Sequence, residues 1–138
     1  MPDSSLSPNL KLLERWAFQP ERVEKPWGHE LIWAVAEQYC GKMLVVRRGQ
    51  QLSLQFHREK DESWYLLDGR AELEFAAAGE KATTTEVVTA GAAFRIRPGT
   101  VHRIRALEDT TMLEVSTAHL DDVVRLEDQY GREGASLP

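Results

Sequence analysis

Gln55-Phe56-His57, the carboxylate of Glu62 and a second histidine, His102, are the residues of this chain whose types and spacing suit chemistry. Side chains alternate along an extended strand, so Gln55 and His57 share one face while Leu54 and Phe56 take the other. Glu62 follows after a short connection and opens the next apolar stretch, where Glu62, Trp64 and Leu66 share a face. Strands joined by so short a link are expected to lie about 5 Å apart, which brings Glu62 towards His57. Arg97-Pro98-Gly99-Thr100-Val101-His102 sets a turn just before the second histidine. Two imidazoles, a carboxylate and an amide oxygen converging on one point bind a first-row divalent ion, and this mixed set suits Zn, Fe, Mn, Ni or Co. The same residues also suit an exposed hairpin dressed in polar side chains. On spacing alone that plainer reading carries more weight.

The elements that would position these residues are strands. From Val23 onward, short runs rich in Val, Ile, Leu, Trp, Tyr and Phe alternate with Gly- and Asp-containing breaks, a rhythm of an antiparallel sandwich or barrel rather than of βαβ units. Strands are expected near 30–35, 42–48, 52–57, 62–67, 71–75, 83–89, 93–97, 102–106 and 112–116, with Asp68-Gly69 as a tight hairpin between two of them. Residues 121–128 fit either a short helix or a closing strand. A helical turn is expected around Leu10–Trp16, ended by Pro20. The division that follows is an extension at 1–22, a barrel at 23–132 and a tail at 133–138.

With 138 residues the chain is long enough for one domain with a real core. A net charge of −5 argues against nucleic acid or an anionic membrane as a partner held by bulk electrostatics. The lone cysteine, Cys40, allows no internal disulfide and reads as a half-buried small apolar residue at a strand start. No apolar run approaches the ~20 residues of a membrane span, and the first residues lack a signal-peptide pattern, so a cytoplasmic location is expected.

Gly49, His57, Glu62 and Gly69 fall in the register of the first cupin motif, with Gln55 in place of the first histidine of its pair. Gly91, Gly99 and His102 match the second motif, with Arg97 where proline is usual and Ala106 where asparagine is usual. Leu52-Ser53-Leu54-Gln55 before the histidine is similar to the C-terminal domain of type II mannose-6-phosphate isomerases. So are Val23–Gly28, Glu62-Ser63-Trp64 and the closing stretch Leu120–Arg132. The resemblance covers about residues 23–132. It implies a single all-β cupin barrel, or jelly roll, holding one divalent metal, zinc first, with Gln55, His57, Glu62 and His102 as ligands. It departs at Arg58-Glu59-Lys60-Asp61, where the family has a histidine-rich run, and at Met43, where arginine is common. The nucleotidyltransferase domain that often precedes this module is not part of this sequence.

The activity so implied is aldose–ketose isomerisation of a phosphorylated sugar, which needs an electrophile, a base and a cation for the phosphate. Glu114 and His29 are candidate bases; Glu30 lies beside His29, and Lys25 is a third candidate for the catalytic machinery. Lys25, Lys42, Arg95, Arg97 and Arg103 are candidates for the phosphate, and Trp64 for a wall of the sugar pocket. Alternation turns Arg103 and Arg105 away from any cavity that His102 faces. A non-catalytic metabolite-binding cupin and an Fe(II) dioxygenase are the competing functions. The resemblance also implies a homodimer, with Trp16, Phe18 and Tyr130 packing on the barrel or on a second subunit.

Overall fold

A computed structural model describes residues 19–135. The expected helical turn at 10–16 lies outside them. Twelve strands form two six-stranded sheets, and every pairing is antiparallel. In chain order they are β1 (Glu21–Lys25), β2 (Gly28–Val35), β3 (Cys40–Val46), β4 (Leu54–Phe56), β5 (Glu62–Asp68) and β6 (Arg70–Ala76). There follow β7 (Thr84–Thr89), β8 (Ala93–Ile96), β9 (Val101–Ala106), β10 (Thr110–Ser116), β11 (Val124–Glu127) and β12 (Gly134–Ala135). One sheet runs β1-β2-β3-β10-β5-β8 and the other β12-β11-β4-β9-β6-β7. This is an all-β jelly roll, as the sequence pattern requires, and no helix among the described residues is long and apolar enough to cross a membrane.

The core forms because both sheets turn their alternate apolar residues inward. Leu44 and Val46 of β3, Trp64 and Leu66 of β5 and Met112 of β10 meet Ala71, Ile104 and Ala106 of the second sheet, all nearly inaccessible. The Lys25-Pro26-Trp27-Gly28 segment is the two-residue link between β1 and β2. It buries Trp27 in this core and presses Gly28 so close to Val45 that a Cβ would lie 1.9 Å from the Val45 carbonyl oxygen. Outward, the first sheet carries one cross-strand row of Leu31, Met43, Leu113, Tyr65 and Ala93, with Trp33 and Val115 exposed beside it.

One expectation is corrected, and one that stood open is resolved. Asp68-Gly69 is no hairpin: β5 and β6 belong to different sheets, and Gly69 is the corner where the chain crosses between them. Its φ of 98° is the positive value the pair signals, but a positive φ does not say which strands pair. A Cβ there would stand 2.4 Å from the Asp109 carbonyl oxygen. The segment at 121–128, open between helix and strand, contains β11, which pairs with β4. Pairing also extends beyond the strands read from sequence, to β1 at one edge of its sheet and β12 at an edge of the other.

Candidate metal centre

His57 follows the last residue of β4, Glu62 opens β5 and His102 is the second residue of β9. All three are buried, and each offers a ligand atom within 4.8 Å of the others. Glu62 Oε2 stands 2.6 Å from His57 Nε2 and 3.8 Å from His102 Nε2. Glu62 reaches His57 for a different reason from the one its sequence spacing suggests. β4 and β5 are not neighbours; they lie in opposite sheets, and the contact crosses the interior of the sandwich.

The far side of each ligand is held. His57 Nδ1 donates to the Asp122 carbonyl at 2.5 Å and His102 Nδ1 to the Thr100 carbonyl at 2.8 Å, in the tautomer that leaves both Nε2 atoms as lone-pair donors. The Trp64 indole N–H donates to Glu62 Oε1 at 2.6 Å, leaving Oε2 to face the imidazoles. Both Nε2 atoms and Glu62 Oε2 are buried without a hydrogen-bond partner. Three orphaned lone pairs aimed at one point are costly in a protein interior unless a cation joins them. The donor set therefore fits a divalent ion.

The electrostatics agree. Burial pushes the His102 imidazole down to about 4 against the pull of Glu62, so it is neutral at pH 7, the form that binds metal. Burial raises the Glu62 carboxyl, but the Lys60 ammonium and the two imidazoles outweigh it and hold the group below the usual carboxylate range. Gln55 lies directly across from His102 in the β4–β9 pairing and lines the same cavity. Its Oε1 accepts from the Ser53 hydroxyl at 2.6 Å, and an amide oxygen keeps a second lone pair.

Gln55, His57 and Glu62 form the floor of a cavity of about 390 Å³, with His102 fully buried behind them. Lys25, Lys42, Trp64 and Glu114, all expected at the site, line it. Lys60 Nζ lies 3.1 Å from Glu114 Oε2, and both are buried. Lys42 Nζ lies 3.5 Å and Lys25 Nζ 3.9 Å from Glu30 Oε1. Burial alone would lower Lys42, but Glu30 and Glu114 outweigh it and raise its pKa, so it stays charged.

The structure turns four candidate residues away from the cavity. His29 alternates with Gly28 and Glu30 along β2, so Glu30 faces the cavity and His29 does not line it. Arg95 is exposed on β8, where its Nε donates to Asp61 at 3.0 Å. Arg97 is exposed, and Arg103 turns outward to Glu74 at 2.9 Å. Sequence reasoning missed Lys60, Arg125, Arg132 and Asp122. For Lys60 the visible signal was a lysine just before the glutamate; for the others nothing short of the β4–β11 pairing would serve.

Strand order, handed-on ligands and an interior histidine–glutamate cluster define the cupin class. In solved structures the fold recurs in oxalate decarboxylase from Lactobacillus farciminis, at a TM-score of 0.66 and 20% identity over 78% of this chain and 33% of that one. It recurs also in KdgF from Halomonas sp., at a TM-score of 0.60 and 22% identity over 72% of this chain and 86% of that one. Within the class, residues 15–128 match the mannose-6-phosphate isomerase C-terminal family, and the chain belongs to it. Mannose-1-phosphate guanylyltransferase 2 of Escherichia coli O157:H7 is 30% identical over 130 residues, 90% of this chain but 26% of that protein. The chain thus spans about a quarter of the length of the curated relatives it matches.

Proposed function

We propose that the chain is a metal-dependent isomerase of a phosphorylated sugar, interconverting an aldose and a ketose as mannose 6-phosphate and fructose 6-phosphate interconvert. The observation that carries this reading is one cavity lined by His57 and Glu62 of the orphaned His57–Glu62–His102 cluster and by the buried Lys60–Glu114 pair. His57, Glu62 and His102, with Gln55 as a fourth ligand, would hold one ion, zinc first and manganese, cobalt, nickel or iron on the same donors. When bound, the ion supplies a Lewis acid for the sugar carbonyl.

Glu114 acts as the base. It lies opposite Trp64 on the next strand, and Ser116, the next residue on its face, lies opposite Glu62, so its backbone is about 7 Å along from the Glu62 row. Its carboxylate takes the proton from C2 and returns it to C1. The Lys60 ammonium beside it donates to the carbonyl oxygen and recovers a proton from the neighbouring hydroxyl, so the pair ends as it began. Trp64, edge-on to His102 at 5.6 Å, walls the sugar and keeps water out. A homodimer formed over the outer apolar row of the first sheet completes the proposal.

A second reading, a binding protein for the same class of ligand, is favoured by the salt bridge itself, since Glu114 held by Lys60 is a weakened base. Interconversion of mannose 6-phosphate and fructose 6-phosphate by metal-loaded protein, with His57→Ala as control, separates the two. Turnover that the variant loses supports the isomerase; no turnover with any of the five metals overturns it in favour of binding.

A further inference from the structure

Besides Lys60, which pairs with Glu114, four cations reach this cavity from separate stretches of chain: Lys25 on β1, Lys42 on β3, Arg125 on β11 and Arg132 beyond it. The carboxylates within salt-bridge distance of them, among the described residues, are Glu30, between the two lysines, and Asp128, gripped by Arg132. Glu21 and Asp121 also line the cavity, but neither pairs with any of the four. Within salt-bridge distance the four keep an excess of two positive charges, while the Glu21 carboxylate, its Oε2 also buried without a partner, lines the cavity apart from them.

Arg125 holds the clearest part of that excess. Its Nε is buried with no hydrogen-bond partner, and no carboxylate among the described residues lies within salt-bridge distance. Burial, and then Arg132, push its pKa down, with Asp128 opposing. Lys25 is lowered as well: burial leads, and Lys42, Arg125 and Arg132 add to it against Glu30. These cations sense one another, and the fold keeps them together. Arg132 is fixed by two side-chain contacts to Asp128, at 2.7 and 3.2 Å, with its guanidinium 5.6 Å from the Tyr130 ring centre. Half-buried cations so arranged, with the Arg125 Nε itself buried and unpartnered, suit an anion that shares them.

We propose that Arg125, Arg132 and Lys25 form the subsite for a phosphomonoester dianion carried at the far end of the ligand from the metal centre. The proposal refines the sugar-phosphate reading above and rests on its phosphorylated ligand, though not on turnover. A phosphomonoester carries roughly −1.5 to −2 at neutral pH, and its oxygens suit guanidinium donors such as the unpartnered Arg125 Nε. Position sets the kind of ester. Arg125 pairs with Gln55, and Gln55 with His102, so Arg125 stands two strands from the metal histidine, about 10 Å between backbones. A phosphate on the carbon next to the reacting centre falls short of that span, whereas one at the distal end of a hexose chain reaches along it. The subsite therefore selects 6-phosphates over 1-phosphates.

Calorimetric binding to the metal-loaded chain tests this with sorbitol 6-phosphate, which has no carbonyl to isomerise, and with sorbitol, mannose 1-phosphate and inorganic phosphate. Sorbitol 6-phosphate should bind at least tenfold more tightly than any of the other three. Arg125→Gln should weaken sorbitol 6-phosphate about 10- to 100-fold, the loss expected for a charge-assisted contact, while metal stoichiometry stays at wild-type level. Arg103→Gln, the same charge change on the outward face, should stay within twofold. Should the glutamine variant fail to fold, Arg125→Lys gives the same test with a smaller loss. Arg125 variants within threefold of wild type, or a wild type that prefers neither the phosphate nor its distal position, overturn the subsite. The isomerase reading fails separately. Absent turnover with a selective Arg125 effect leaves the subsite standing, and turnover with an unchanged KM in Arg125→Gln removes the subsite alone.

Discussion

Replacing Asp122 with alanine removes a carboxylate that accepts from three consecutive backbone N–H groups, those of Arg58 at 3.0 Å, Glu59 at 2.7 Å and Lys60 at 2.9 Å. Hydrogen bonds to a charged acceptor contribute about 1.5–3 kcal/mol each. Arg58 and Glu59 are exposed, so their N–H groups recover water on substitution, whereas Lys60 is buried and its N–H does not. The net loss is then about 3 kcal/mol, a fall in Tm of roughly 6–12 °C for a domain of this size. The loop so loosened begins at His57, whose ring is aimed by the carbonyl of the same Asp122. Losing such outer support should weaken metal binding about 10- to 100-fold. Chelator competition on the variant, beside a thermal melt, measures both. The pH dependence carries a sign as well. The three N–H groups outweigh burial and lower the Asp122 carboxyl, so its stabilisation is present above the unfolded value near 3.8 and is lost as pH falls through the folded one. A variant with wild-type Tm and metal affinity within twofold would refute the idea that Asp122 supports the centre.

Further outcomes follow from the same geometry. His57→Ala and His102→Ala should each lose stoichiometric metal by elemental analysis, and wild-type metal should be released on acidification as the imidazoles protonate. Chelation should lower the Tm of the wild type, because Glu62 belongs to one sheet and the histidines to the other. Glu114→Gln should abolish isomerisation in a coupled assay while keeping metal, since the amide leaves the ligands untouched. Gly69→Ala should cost about 2 kcal/mol or more in chemical denaturation, because it adds a Cβ against the Asp109 carbonyl at a positive φ. Val115→Glu, exposed beside the outer row of the first sheet, should shift the proposed homodimer to monomer in light scattering.

Much of this was legible because strands advertise themselves by alternation. The period turned Arg103 away from the face of His102, and its guanidinium reaches Glu74 instead; Lys42 and Glu114, candidates by residue type alone, line the cavity. Applied to β2, the same rule puts His29 and Glu30 on opposite faces, so one of the two had to leave the cavity. What alternation does not report is which sheet a strand joins. The Asp68-Gly69 turn looked like a hairpin, and Glu62 looked like a neighbour of His57 along one sheet, for that single reason. Arg125 and Asp122 depend on it most: their roles exist only because the closing segment returns to pair with β4.

The Asp122 carbonyl orients a histidine 65 positions earlier in the chain. Contacts between such distant positions form late, since the intervening loop must close before they contribute anything. During synthesis from the N-terminus, His57, Glu62 and His102 all emerge before the residue that fixes the first of them. A nascent chain can therefore present all three side chains without a prepared centre. Were the centre to take an ion, tight capture would wait on this contact, and a chain that carried its ion would have its closing segment already wrapped into place.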